Sequence, residues 1–539
     1  MATKQNTLIP NYLHNSIALP VTTETRDSGY TTDAVLTNMF VETIGNKKVV
    51  VKRPGAGTPA IFPNSAGTYT TRGLFEWQNV AFIFVNDKVY KSNTGASIVT
   101  LATNSGDIGW CECTHEGAPH MFFCDGTNGY VLSEALVVTQ VNQTYSAWVA
   151  STNYALGDQR RPTTANSLYY EVTADAGSSG ATEPTWPTTI GSTVVDGGIT
   201  WTCVGYYGGF PSPHGTTPVF IDGYLCLPKS GTADIYNSAT DNVFSWNPAD
   251  YITSEVVPDD TVAITKHNNQ IAVFGYDSIE FLYDNGANQI TGTPFARNQN
   301  IAHLVGCYVP HSIKSDLGVT YFLGVEQGGG DALYKITGFN IEKVSSGWAD
   351  RILNSLPLGS SYSSLATIGG HTYYIISSST TALVYDILEK AWYIWASNLT
   401  NDVPYAYKYI ISDTAGNAYG LGLSSTLGGV FALLGLSYTT DGGTGFKWEV
   451  ITTPVISDFK RIFYDRLTIN ADNTSATATV KWTDNDYTTW SSGQSVTLGT
   501  RPVLHRLGAS RKRAFSISGS SSHSVRIHGL ELDYSEGAL

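Results

Sequence analysis

Charge is scarce in this sequence. Only 14% of the 539 residues are Asp, Glu, Lys or Arg, and runs of the helix-favouring Glu, Lys, Leu and Ala are correspondingly rare. No segment approaches the ~20 consecutive apolar residues that a membrane-spanning helix needs. The opening MATKQNTLIPNYLHNS lacks the apolar core of a secretion signal, so the expectation is a protein made and kept soluble in a cytoplasm. Positive charge is the scarcer sign: 31 Lys and Arg stand against 45 Asp and Glu, a formal net of −14. Affinity for a polyanion comes mainly from cations that neutralise phosphates, so this balance argues against a general nucleic-acid binder. It leaves open a protein past which DNA slides.

Cysteine is also sparse. Cys111, Cys113, Cys124, Cys203, Cys226 and Cys307 are too few and too irregular for a disulfide scaffold in a chain of this length. Cys111 and Cys113 share one face of a strand, yet no CxxC or nearby His pair completes a zinc site, so all six are expected to be free thiols, most of them buried. A G-x-S-x-G elbow, an H-E-x-x-H helix, a P-loop and a Rossmann fingerprint are all missing. Gly328-Gly329-Gly330 lacks the Lys and helix that phosphate binding requires, and His303 with His311 offers no metal spacing. The acid pairs Asp259/Asp260 and Asp484/Asp486 are the candidates for glycoside cleavage, which needs two carboxylates ~5–10 Å apart. Both lie in turn-like sequence, where acids are ordinarily solvated. The expectation is a protein without enzymatic activity, cofactor or metal.

What the sequence has in abundance is strand and turn chemistry: 53 Gly, 32 Tyr, 20 Phe and 12 Trp, with many Thr and Ser. This composition predicts an all-β protein. At 539 residues the chain can bury its own core and should divide into two or three domains. A repeat runs through most of it. A Gly, Asn or Asp turn precedes an apolar run, a polar turn and a second short strand, most clearly at Asn79-VAFIFVND and Asn269-QIAVFGYD, each ending in an Asp eight residues past the Asn. Weaker copies begin near Pro119, Asp222, Leu317, Gly370 and Gly416. Once a segment of roughly 60 residues is removed, successive copies start about 41 to 52 residues apart, the length of one four-stranded propeller blade. Six or seven blades fit. The expected domains are residues 1–145, an N-terminal arm with the first blades; 146–205, an insert; 206–445, the remaining blades; and 446–539, a C-terminal β-rich region.

The insert contains Trp148, Trp186 and Trp201 within about sixty residues. On Trp148, Tyr154, Gly157-Asp158, Tyr169-Tyr170, Ala176-Gly177, Ser179-Gly180, Glu183-Pro184, Trp186-Pro187, Asp196-Gly197 and Thr200-Trp201, it resembles a small carbohydrate-binding-like module of chitinases and phage virion proteins. The resemblance implies that Trp148, Tyr154, Trp186 and Trp201 are the candidates for stacking on a sugar ring. The residues themselves favour a different use for most of them. A module this small needs its aromatics for its own core, each burying ~150–250 Å². Trp186, flanked by Pro184 and Pro187, is the best exception.

Two further stretches carry a family resemblance. Asn38-Met39-Phe40-Val41-Glu42 is followed by Val49-VVKRPG, ending in Arg53-Pro54-Gly55. Near the C-terminus, Arg501, Arg506, Gly508, Arg511, Arg513 and Phe515 precede Ile527-His528-Gly529-Leu530-Glu531-Leu532-Asp533-Tyr534. With the repeats and the length, the chain resembles the tail-nozzle, tail-hub or packaged-DNA stabilisation proteins of short-tailed bacteriophages. The resemblance implies a virion protein, assembled in the host bacterial cytoplasm, that forms a homohexameric ring below a head-to-tail adaptor. Such a ring would continue the channel for packaged double-stranded DNA and carry tail fibres or tailspikes and a tail needle or plug. Six of the 31 basic residues fall between Arg501 and Arg526. Arg501, Arg506, Arg511, Arg513 and Arg526 are therefore candidates for contact with DNA or a neighbouring ring, with a solvated strand face as the alternative reading. A receptor- or glycan-binding tail protein stands beside the nozzle reading.

Overall fold

The computed structural model describes residues 13–27, 31–286, 294–326, 329–379, 381–397, 405–413, 415–424, 427–457 and 460–537. Gly328 lies outside the described residues. Two compact units divide the chain, residues 69–343 and residues 1–68 with 344–539.

The sequence repeat is a hairpin. Gln78 and Asn79 have φ of 54° and 59°, and Asn268 and Asn269 have 47° and 57°. Both central residues of each two-residue turn are thus left-handed, the type I′ geometry whose twist matches the strands it joins. Glu116-Gly117, Asp222-Gly223, Leu317-Gly318 and Gly369-Gly370 make the same turn. Asn, Asp and Gly tolerate positive φ, which is why these positions punctuate the sequence. Leu317 does not fit this rule: it sits at φ 47° with 95% of its surface exposed. Leu317→Asn is expected to stabilise the unit by about 1 kcal/mol, because it relieves a left-handed leucine whose side chain contributes no burial. A rise in the denaturant midpoint would show it, and an unchanged or lower midpoint would contradict it.

In unit 69–343, five antiparallel sheets follow one another as sequential meanders. The first runs through Thr71–Trp77, Val80–Val85, Lys88–Lys91 and Ser97–Thr100, and the second through Gly109–His115, Ala118–Cys124, Gly129–Ser133 and Val138–Gln140. The third is Val219–Ile221, Tyr224–Pro228, Asp234–Asn237 and Tyr251–Thr253. The fourth is Thr261–His267, Gln270–Gly275, Ile279–Asp284 and Phe295–His303. The fifth pairs Val319–Glu326, Asp331–Thr337 and Asn340–Lys343 with two short edge segments. The second strands of the first, third and fourth sheets are almost wholly buried, Val80–Val85 at every position, because neighbouring sheets cover both faces. Phe75, Phe82, Phe84, Phe123 and Tyr130 form the core between the first two sheets, and Phe274, Phe281, Phe322 and Tyr334 that between the last two.

Between the second and third meanders the chain builds sheets of its own. Gln159–Arg160, Leu168–Ala174, Ile199–Tyr206 and Thr193–Asp196 form one, and Asn153–Tyr154 pairs with Gly177–Ser178. Tyr145 and Tyr169 stack at 4.3 Å where this segment leaves the second meander.

The other unit holds two further meanders. One is Tyr362–Ile368, His371–Ser377, Ala382–Asp386 and Ala391–Trp395. The other, Tyr407–Ser412, Ala418–Ser424 and Gly428–Gly435, is completed by Gly55–Ala56 and Ala60–Pro63 from the chain's beginning. The first continues through Thr31–Thr37 into the C-terminal strands Phe446–Ile451, Lys512–Ser521, Thr477–Thr483 and Gln494–Thr497. A second large sheet joins Met39–Ile44 and Lys47–Lys52 to Arg526–Glu536, Ile462–Ala471 and Val503–His505. One core is shared by these sheets, with Phe40, Val50, Leu467 and Leu532 from one and Trp448, Val480, Phe515 and Ile517 from the other. The C-terminal strands therefore form their sheets together with N-terminal strands. Among the described residues there is one α-helix, the seven-residue Gly347–Leu353, and no helix long and apolar enough to cross a membrane.

Candidate functional site

The motif at residues 38–55 is a clamp. Strand Lys47–Lys52 delivers Arg53 into a buried position where all five guanidinium N–H groups are used. Nε donates to Asn38 Oδ1 at 2.8 Å, Nη1 to Pro54 O and Asp441 Oδ1, and Nη2 to Ala396 O and Asp441 Oδ2 at 2.6 Å. The guanidinium also lies 3.7 Å from the Phe446 ring centre. Burial disfavours its charge, but the facing Asp441 carboxylate outweighs that and raises its pKa. Asn38, at φ 55°, also accepts from Ala396 N and donates to Lys447 O at 2.6 Å. Gly55 follows because a Cβ there would stand 2.5 Å from the Tyr438 and Thr440 carbonyl oxygens. The N-x-x-x-E and R-P-G signatures thus join the N-terminal strands to residues 394–447. This role was not foreseen from the sequence.

A second buried polar pair, His371 and Asp386, lies 2.8 Å apart beside the Phe40 ring. Burial works against protonation of His371, but its hydrogen bond to Asp386 prevails and raises its pKa. A raised histidine contributes stability that is complete below the unfolded pKa, about 6.5, and is lost as pH climbs through the folded value. The stability difference between the wild type and His371→Gln is therefore expected to shrink as pH rises from 6 to 9. A difference that stays constant across that range in denaturant titrations would contradict it.

The C-terminal arginines mostly have partners within the chain. Arg513 is buried and grips Asp484 through Nε and Nη2, both at 2.7 Å, beneath the Tyr464 ring. Arg501 pairs with Glu531 at 3.1 Å, and Arg526 with Glu42 at 3.2 Å. Arg466 with Asp533 and Lys460 with Glu536 extend the same row of ion pairs along Arg526–Glu536. Arg501, Arg513 and Arg526 thus each pair with a carboxylate of their own chain; Arg513 is buried, whereas Arg501 and Arg526 keep part of their surface exposed. Arg506 and Arg511 are exposed and make no ion pair among the described residues.

In the insert, Trp148, Tyr154 and Trp201 are buried together with Tyr170, Val172 and Ile199. Both Trp148 and Trp201 donate their indole N–H to Asp196 Oδ2, at 2.8 and 2.9 Å, while Gly180 N donates to Oδ1. Their ring faces are covered, so these three cannot serve as stacking platforms for a sugar. Trp186 is half-buried, packed on Tyr170 at 4.4 Å, with its indole N–H held by Glu183 at 2.9 Å.

Three of the four candidate acids are similarly employed. Asp484 and Asp486 hold Arg513 and Lys512, and Asp259 accepts from Asp277 N at 2.8 Å to brace a turn. No cluster of three or more metal-ligating side chains occurs among the described residues. All six cysteines are free, five of them buried, and burial pushes Cys113 up to about 12. Such thiols are poor nucleophiles.

The successive four-stranded meanders define a β-propeller. A family model described as Phage_stabilise, the bacteriophage P22 Gp10 β-propeller, matches residues 216–419, fewer than half of the chain. That stretch runs from Val219–Ile221 to Tyr407–Ser412, and its similarity is to a family of phage structural proteins. No curated protein sequence matches the chain. Among solved structures, the N-terminal domain of Nup159 is 9% identical with a TM-score of 0.34, covering 75% of this chain and 99% of that one. BamB from Moraxella catarrhalis is 10% identical with a TM-score of 0.30, covering 79% and 98%. An exo-β-1,3-galactanase from Phanerochaete chrysosporium is 7% identical at 0.24, covering 89% and 99%. Scores this low carry no argument about function.

Proposed function

We propose that this chain is a structural, non-catalytic component of a phage tail. In this reading it forms a homohexameric nozzle or hub ring that sits below a head-to-tail adaptor, continues the DNA channel and helps retain packaged DNA. The observation that carries the reading is the family match over residues 216–419, which falls on consecutive blades. Two physical features support it. The net charge of −14 suits a wall past which DNA must slide, since acidic side chains repel phosphates. The ion-paired row along Arg526–Glu536 leaves that sheet with little free positive charge to hold DNA.

The insert is a decoration in this reading, and the ring carries tail fibres or tailspikes and a needle or plug, with a host surface glycan as a further partner of the chain. The test is cryo-electron microscopy of purified virions, with mass-spectrometric assignment of the tail proteins. A ring of this protein around the distal DNA channel is expected. Its absence from virions, or its presence only as peripheral trimers, would overturn the reading. Excision of residues 146–205 is expected to leave ring assembly intact.

A further inference from the structure

We propose that a small cavity beside the clamp, bounded by Lys52, Arg526, Glu42, Tyr438, Thr439 and Ser524, binds one tetrahedral oxyanion of the phosphate or sulfate type. The inference does not depend on a role in a phage tail.

Size and charge both point to such a ligand. The cavity measures about 130 Å³, room for about four waters at ~30 Å³ each and so for one oxyanion of five heavy atoms. Three cations line it, Lys52, Arg53 and Arg526, against one lining carboxylate, Glu42, and Arg526 also stands 3.7 Å from Asp472 outside the lining. Arg53 is balanced by Asp441, which lies outside the lining. Lys52 is not balanced: it is buried and makes no ion pair among the described residues. Its ammonium is held instead by the carbonyls of Thr439, Ser521 and His523, at 2.7, 2.6 and 3.3 Å. Burial and the adjacent Arg53 lower Lys52 to about 8, against a smaller opposing pull from Asp441, as befits an ammonium short of counter-charge. A buried cation without an anionic partner is costly, and an anion in the cavity would supply the missing charge.

Donors are present as well as charge. Arg526 Nε is buried without a hydrogen-bond partner, although Nη2 of the same side chain reaches Glu42 at 3.2 Å. An oxyanion accepting from Nε would satisfy that orphan N–H with a charge-assisted bond. Tyr438, Thr439 and Ser524, each carrying a hydroxyl, are among the residues that line the same space. Glu42 opposes an anion, and its ion pair with Arg526 offsets part of the charge of both side chains, so the uncompensated charge is that of Lys52. Lys52, with its ammonium hydrogens on carbonyls, contributes chiefly field.

The experiment is isothermal titration of the full chain with inorganic phosphate, paired with thermal melts in which phosphate replaces chloride at constant ionic strength. Saturable binding at one site per chain is expected, with a melting temperature that climbs with phosphate concentration, as it must for a ligand that binds only the folded state. Arg526→Gln should weaken binding at least tenfold. Ser524→Ala, at an exposed position that leaves the ion pairs untouched, should weaken it several-fold even if the arginine variant folds poorly. A short duplex DNA is the second arm. If it displaces phosphate, the oxyanion the site takes is a nucleic-acid phosphate. If it does not, the ligand is the free ion, and either result upholds the site. Phosphate and sulfate that stabilise no more than chloride would overturn the proposal, as would unchanged affinity in both variants.

Discussion

Arg53→Met is expected to destabilise the unit of residues 1–68 and 344–539 by about 3–5 kcal/mol, the cost of leaving a buried charge without its partner. Methionine preserves much of the volume, so the effect isolates the guanidinium. Its removal strands Asp441, only 13% exposed, and deprives Asn38 Oδ1 of one of its two donors. The carbonyl of Ala396 loses a donor too. Because the clamp ties strand Lys47–Lys52 to segments 343 and 388 residues away in sequence, the N-terminal strands should loosen with it. Hydrogen exchange of the amides in Met39–Ile44 and Phe446–Ile451 is the measurement. Faster exchange there is expected, with less change in Thr71–Trp77 or Val80–Val85. The double variant Arg53→Met with Asp441→Leu should recover part of the loss, since it removes the unpaired carboxylate. If the double variant were no more stable than the single one, the unpaired charge would not be the cause.

The second large effect is expected in the insert. Asp196→Ala removes a buried carboxylate that accepts from two indole N–H groups and one backbone N–H, and leaves all three donors without it. Hydrogen bonds to a charged acceptor contribute ~1.5–3 kcal/mol each, and orphaned buried donors cost more than the bonds alone. The sum exceeds what a core of eight buried side chains is expected to spare. Residues 146–205 should unfold locally, with proteolysis confined to that segment and the flanking meanders intact. Trp186→Ala, by contrast, should be tolerated far better, because its ring is only half-buried and bonded to one carboxylate. Equal proteolytic resistance of Asp196→Ala and the wild type would refute this account of the module's core.

Legibility differed from one element to the next for physical reasons. The turns at Asn79 and Asn269 could be read because Asn is among the few residues that accept positive φ, and this preference acts locally. Leu317 carries no such mark, although it makes the same turn. In the insert, the aromatic content and the expectation that most rings fill the module's own core came from composition. Which rings are covered came only from packing. Asp196 belongs to the module's sequence pattern, but its hold on two tryptophans depends on packing that the pattern does not contain. Among the arginines, the sequence shows the cluster between residues 501 and 526 but not its counter-ions. Glu531 lies 30 residues from Arg501, Asp484 lies 29 from Arg513, and Glu42 lies 484 from Arg526.

Composition, period and turn residues by themselves determine that this protein is all-β and built from repeated four-stranded units, because strand propensity, left-handed turns and blade length are properties of short stretches of chain. Tertiary structure alone decides that N-terminal strands complete a late meander and share sheets with the C-terminal region. It alone decides that Arg53 is the centre of a clamp, and that most of the late arginines are neutralised at home. These outcomes depend on strand pairing between residues hundreds of positions apart, and the energy of a buried ion pair resides in a partner that local sequence does not contain.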